Sequence, residues 1–212
     1  MNKPRRVNSN GFTVIELMIA TMVFGVVLLF VTVAILQFTR VYYKGVTQAN
    51  TQDTTRTLVD NITQAIQFNG GAVTATPAPA YGATAAFCVG DVQYTYVLGK
   101  QMTDTTPTAS QTWHSVVARD LGGCVAGSPT PPMNSQFTTT GARELLSPKM
   151  RLSKLQVTPI GANVYRVTVK VVFGDDDLLL NPTTADTKCR GQSGSQFCAV
   201  SEITTVVTKR VE

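Results

Sequence analysis

Hydrophobic and polar positions follow three regimes along the 212 residues. The first is an apolar run, residues 17–36, that contains no charged side chain. At 1.5 Å of rise per residue, twenty helical residues span about 30 Å, the thickness of a bilayer's hydrocarbon core. In the second regime, apolar residues recur every three or four positions: Phe38, Val41, Tyr42, Val46 and Ala49, then Leu58, Ile62, Ala65 and Ile66. That interval predicts that the same helix continues, amphipathic, and packs its second half on a globular body. Residues 47–57 interrupt the pattern, being polar apart from Ala49. Together these segments predict one helix over residues 12–67, stopped by Asn69-Gly70-Gly71.

The third regime is alternation, the mark of strands. Residues 72–86, rich in Ala, Thr and Pro, read as a loop, and two strands follow at 86–89 and 92–98. Residues 103–112 and 126–141 are loops by their Thr, Ser, Pro and Gly content. Residues 113–119 fit a short strand and a turn of helix equally well. The strongest β signal is late, at residues 152–160 and 164–173, separated by the hairpin-like Gly161-Ala162-Asn163. In the second of these, Val167, Val169 and Val171 face one side, and Arg166, Thr168 and Lys170 the other. A last strand is predicted at residues 203–211. A helix followed by an antiparallel β-sheet is an α+β plan.

Charge changes the picture only at the front. Of 18 Lys and Arg, three (Lys3, Arg5, Arg6) precede the apolar run, leaving 15 against 13 Asp and Glu. The basic character is therefore partly a property of the leader, and is no argument for nucleic acid. Basic residues flanking a spanning helix report the cytoplasmic side, so the N-terminus is expected inside and the body outside. All four cysteines, Cys88, Cys124, Cys189 and Cys198, fall in that outside part. An even count in an oxidising compartment predicts two disulfides. Zinc is the competing reading, but no Cys-x-x-Cys pair occurs and the chain has one histidine. The short spacing of Cys189 and Cys198 favours a local bridge, with Cys88–Cys124 as the second, although four cysteines permit three pairings.

Glu16 stands at the head of the apolar run, where a carboxylate is expensive. A cleaved secretory signal would have a shorter apolar region followed by small residues, but Gln37-Phe38-Thr39-Arg40 comes next. A plain signal anchor leaves Glu16 and the Gly11-Phe12 junction unexplained. The stretch Gly11-Phe12-Thr13-Val14-Ile15-Glu16-Leu17-Met18-Ile19-Ala20 resembles the class III signal of type IV pilins and type II secretion pseudopilins. The resemblance implies that a prepilin peptidase cuts between Gly11 and Phe12, that Phe12 is then N-methylated, and that Glu16 pairs with the positive N-terminus of a neighbouring subunit during assembly. Glycine suits a tight protease site because it has no side chain to clash. The helix-breaking proline common in the major pilins is missing here, as no proline lies between Pro4 and Pro77. The late strands look most like the larger minor pilins and pseudopilins of the PilW and GspJ type.

The expected organisation is a cleaved leader (1–11), a transmembrane and assembly helix (12–36), its amphipathic continuation (37–69) and an extracytoplasmic antiparallel sheet domain (70–212). Its pilin-like α+β fold would pack the helix on the sheet, with two disulfides.

Other constellations are weaker. Asp175-Asp176-Asp177, with Asn181 and Asp186 nearby, could gather oxygens for calcium, but a solvated acidic turn explains them as well; no metal and no cofactor is expected. His114 beside Trp113, and the lone Glu144 and Asp120, lack the orienting partners a catalytic group needs; no enzymatic activity is expected. Lys149, Arg151 and Lys154, with Arg166 and Lys170 across the hairpin, could make one basic face that attracts DNA. The function the resemblance implies is that of a minor type IV pilin whose partners are the major pilin, other minor pilins, the prepilin peptidase, the inner-membrane assembly platform and the membrane. It would reside in the cytoplasmic membrane and then in an extracellular pilus. A minor pseudopilin of a type II secretion system, and an anchored receptor for DNA or a surface, are the alternatives.

Overall fold

A computed structural model describes residues 11–74, 76, 79–102, 115–120, 122, 124, 142–191 and 194–211. The chain divides into two compact units, residues 1–42 and 43–212. Helix α1 runs over Val14–Phe68. In the first unit every described side chain is exposed. Polar hydroxyls there are satisfied within the helix: Thr21 donates to the Met18 carbonyl (3.0 Å), Thr32 to Leu28 (2.8 Å) and Thr39 to Ile35 (2.8 Å). The segment thus presents little but apolar surface, with its backbone bonds closed on themselves, as a lipid environment demands.

In the second unit, α1 buries Thr51, Thr55, Leu58, Val59, Ile62, Ala65 and Ile66. The apolar stripe expected at Phe38, Val41, Tyr42 and Val46 is exposed instead, and burial begins within the polar stretch. The physical reason is that threonine hydroxyls can hide in their own helix. Thr51 donates to the Thr47 carbonyl (2.8 Å) and Thr55 to that of Thr51 (2.7 Å), so two polar residues enter the core without an unpaired donor.

Among the described residues, the helix packs on antiparallel strands that form three sheets. Strands β1 (Thr84–Val89), β2 (Val92–Val97), β3 (Val116–Asp120) and β4 (Arg143–Glu144) form a four-stranded sheet in that order. Strands β5 (Met150–Gly161), β6 (Val164–Phe173) and β9 (Ala199–Thr208) form the second, and the two-residue strands β7 (Leu179–Leu180) and β8 (Lys188–Cys189) the third. The undecided segment around residue 116 is therefore a strand, and the last strand begins four residues earlier than expected. The β5–β6 loop is tighter than expected, because Gly161 already pairs with Val164. Asn163 takes the left-handed conformation that this two-residue turn requires (φ 59°).

One core joins these layers. Leu58, Ile62 and Ile66 meet Phe87, Tyr94 and Tyr96 of the first sheet and Leu155, Val157, Val167, Val169 and Val171 of the second. The alternation read from β6 is the observed one, with its valines at 167, 169 and 171 inside. Phe87 stacks on Tyr94 at 4.9 Å and meets Tyr96 edge-on at 6.2 Å. Disulfides join Cys88 to Cys124 and Cys189 to Cys198. Beyond Phe68, Gly71 adopts φ 94°. There the chain passes so close to the β1–β2 turn that a Cβ on Gly90 would lie 2.2 Å from the Gly70 carbonyl oxygen.

Candidate functional site

The first turn of α1 is a capping box. Thr13 precedes the first helical residue and Glu16 lies three positions on. The Thr13 backbone N–H and hydroxyl both donate to Glu16 Oε2, at 2.9 and 2.7 Å, and the Glu16 N–H returns a longer bond to Thr13 Oγ1 at 3.4 Å. Both donors converge on one carboxylate oxygen. The negative charge also sits where the helix backbone leaves N–H groups unpaired, at the positive end of the helix dipole. These arrangements let a carboxylate stand at the head of an apolar helix. Ahead of it, Phe12 is 86% exposed, and nothing lies within 4 Å of a Cβ built on Gly11. Glu16 was legible in the sequence as a charge out of place; Thr13 was missed. The signal for it was present, since Thr13-Val14-Ile15-Glu16 is the threonine-x-x-glutamate of a capping box.

Elsewhere the structure gives the remaining candidates structural tasks. Arg151 fills the acidic turn. Its side chain is 4% exposed, pairs with Asp176 through Nη1, and donates through Nη2 to the Gly174 carbonyl (3.1 Å). Asp175 accepts from Gln101 Nε2 (3.2 Å). No group of three His, Cys, Asp or Glu side chains among the described residues is placed to share an ion.

Of the candidate basic face, Lys149 and Arg166 are exposed, but the other three cations are engaged within the fold. Arg151 is buried, and Lys170 is also buried, with Nζ donating to the Ala185 carbonyl (2.8 Å). Lys154 pairs with Glu202 at 3.4 Å. The segment between β6 and β9 takes up Arg151 and Lys170, which the strand pattern aimed at solvent, and Glu202 of β9 takes up Lys154.

Glu144 is a backbone anchor. Its carboxylate accepts from the N–H groups of Ser115 (2.9 Å), Val116 (3.0 Å), Leu145 (3.2 Å) and Leu146 (3.0 Å). It thereby fixes the start of β3 against β4. Asp120 accepts from the Gly122 N–H (3.1 Å), a local turn bond. His114 and Trp113 lie outside the described residues. A groove of about 480 Å³ between α1 and the first sheet is lined by Asn61, Phe68, Tyr94, Arg119 and Arg143, among others, without a nucleophile and base in hydrogen-bond reach among the described residues. Tyr94 at its base donates to Asn61 Oδ1 (3.0 Å), and burial pushes its hydroxyl up to about 12.

Residues 6–32 match the family model of the prokaryotic N-terminal methylation motif. No curated protein and no solved structure matches the chain. The matched segment holds the Gly11-Phe12 junction, the capping box and most of the apolar run. It identifies a class III prepilin signal, consistent with the type IV pilin and pseudopilin family, and supports a structural subunit made as a membrane-anchored precursor.

Proposed function

We propose that this chain is a minor type IV pilin, cut by a prepilin peptidase between Gly11 and Phe12 and methylated on the new Phe12 amine. It then enters a pilus through residues 12–36. The observation that carries this reading is the methylation-motif match over residues 6–32, which contains Glu16. Cleavage would free an α-amine one residue ahead of Thr13. In a filament, Glu16 of one subunit meets that cationic group on a neighbour, in surroundings where an ion pair is far stronger than in water. The apolar helix moves from lipid into a bundle of similar helices, two media of like polarity, so pairing at Glu16 decides register.

The basic leader orients the precursor with its N-terminus in the cytoplasm and residues 43–212 outside. Its partners are the peptidase, the inner-membrane assembly platform, the major pilin and other minor pilins.

Mass spectrometry of the assembled protein tests the processing step. A mature chain beginning at Phe12 and carrying one added methyl is expected; an assembled chain still beginning at Met1 would sink the proposal. The pilus assignment is tested by shearing pili from cells. Recovery of the chain in the sheared fraction is expected, whereas loss of protein secretion without any change in piliation on deletion would move it to a secretion pseudopilin.

A further inference from the structure

The sheet of β5, β6 and β9 has two edges, and the chain treats them differently. On the β5 edge, the register is interrupted between Leu152 and Lys154 and again between Pro159 and Gly161. Pro159 has no N–H to offer a further strand. Leu98 and Gln101 bridge to Leu152 and Arg151 from outside β5, and Thr76 Oγ1 accepts the Val157 N–H (3.0 Å). Proline, irregular register and covering segments are the devices that keep an edge strand from pairing.

Strand β9 carries none of them. Its register against β6 runs unbroken from Ala199 to Thr208, with no proline, and Glu202 is its one charged residue. The Lys209 N–H continues the ladder by donating to the Asn163 carbonyl (2.8 Å). Odd-numbered residues therefore bond to β6, and Glu202, Thr204, Val206 and Thr208 turn their N–H and C=O groups away from it. Among the described residues no strand lies beyond them, and all four side chains are exposed, Val206 at 56%. Residues 203–208 are all Ile, Thr or Val, a composition suited to a further strand pair.

Charge says which strand fits. Glu202 stands before this run, and Lys209 and Arg210 follow it. Arg210 is exposed, and its N–H, bonded to the Gln67 carbonyl (3.2 Å), marks where the open edge ends. A second β9, laid antiparallel about a two-fold axis at Val206, brings Glu202 of each copy opposite Arg210 of the other. Thr204 then faces Thr208, and Val206 faces Val206. Opposed residues share a face, so both cores lie on the same side of one continuous sheet. A parallel copy would instead set Glu202 beside Glu202 and Arg210 beside Arg210.

We propose that β9 is a self-pairing edge, through which this chain forms a two-fold dimer with a second copy of itself. The pairing uses residues of the second unit alone and does not depend on processing at Gly11. A single strand pair is a small contact, so the dimer is expected to be weak and is best read by trapping.

Cross-linking of the full-length protein in neutral detergent tests the proposal. The four native cysteines are held in disulfides, so Val206→Cys adds the one free thiol. Mild oxidation is expected to give a disulfide-linked dimer on non-reducing gels, roughly fivefold or more above that from Gln156→Cys, an exposed position on β5. In the Val206→Cys background, Glu202→Arg and Arg210→Glu should each cut the dimer roughly threefold, and the two together should restore it. Thr204→Cys and Thr208→Cys proteins, mixed, give a second reading, because they should link to each other rather than to themselves. Equal dimer from Val206→Cys and Gln156→Cys, charge reversals without effect, or Thr204→Cys linking chiefly to itself overturns self-pairing and leaves the edge to a strand of a different protein. The N-terminal mass is read on the same protein, so a failure of pairing and a failure of processing show separately.

Discussion

The pairing of Arg151 with Asp176 makes an unequal prediction for its two halves. The guanidinium is enclosed, with its side chain 4% exposed, while the carboxylate is 72% exposed. Breaking a buried ion pair from one side costs about 3–5 kcal/mol, because the remaining charge stays in a poor solvent. Asp176→Ala leaves that charge in place, and its Nε already lacks a partner. Water can approach from the side Asp176 vacates, so a value near 2–3 kcal/mol is the fitting figure. Arg151→Met removes the charge instead and keeps an apolar stem. The exposed Asp176 then rehydrates, and the main loss is the donor to Gly174, worth about 1 kcal/mol.

For a chain of this size, 1 kcal/mol moves the melting midpoint by about 2–4 °C. Thermal unfolding of the full-length protein in detergent, followed by near-ultraviolet circular dichroism, should therefore show Asp176→Ala falling by about 4–12 °C and Arg151→Met by about 2–4 °C. The double variant should resemble Arg151→Met alone. If Arg151→Met is the more damaging single change, the burial argument is wrong and the arginine stabilises chiefly through packing.

Other perturbations follow from the same geometry. Glu16→Ala should be cleaved and inserted normally but recovered poorly in sheared filaments, as read by immunoblot; wild-type recovery would show the carboxylate to be a passenger. Glu144→Ala strips acceptors from the buried Ser115 and Val116 N–H groups and should lower stability by about 2–5 kcal/mol, measured by urea unfolding; a loss under 1 kcal/mol contradicts the anchor role. Gly90→Ala combines a φ of 57° with a Cβ 2.2 Å from the Gly70 oxygen, so it should unfold at a clearly lower temperature, and an unchanged midpoint would rule out the close approach.

Tyr94 gives a pH dependence. Its hydroxyl is raised from about 10 to about 12 by burial, so the stability it contributes is whole below pH 10 and is lost as pH climbs from 10 through 12. The gap corresponds to roughly 2–3 kcal/mol at most. Tyr94→Phe should flatten that alkaline decline in unfolding midpoints; an unaltered slope would assign the decline to other groups.

Much of the fold is local enough to read along the chain. The helix, the β5–β6 hairpin and the inward valines of β6 follow from period and turn chemistry, which involve neighbours a few residues apart. What resisted reading depends on distant partners. Thr51 and Thr55 look like surface residues until their hydroxyls turn onto their own helix. Glu144 looked like an orphan acid because these four bonds all come from backbone N–H groups of residues carrying no signal for it, two of them, Ser115 and Val116, where β3 begins. Arg151 and Asp176 are separated by a hairpin strand and read as a basic cluster and an acidic turn until the fold superposes them. The division of the strands into three sheets is equally non-local, for no strand pattern states where pairing stops. Thr13 is the exception, a short-range signal that was available and overlooked.

The burial that begins only at Thr51 has a consequence for how such a chain can vary. Through residue 36 the helix asks only for apolar side chains, for Glu16 and its cap, or for threonines bonded to their own backbone, and the same short vocabulary serves any subunit that shares the tail. Downstream, each residue answers to particular neighbours in one core. The recognisable motif ends at residue 32. A handle with loose demands and a head with strict ones can thus diverge at different speeds. A filament could acquire a new head on an old handle without renegotiating how subunits hold together.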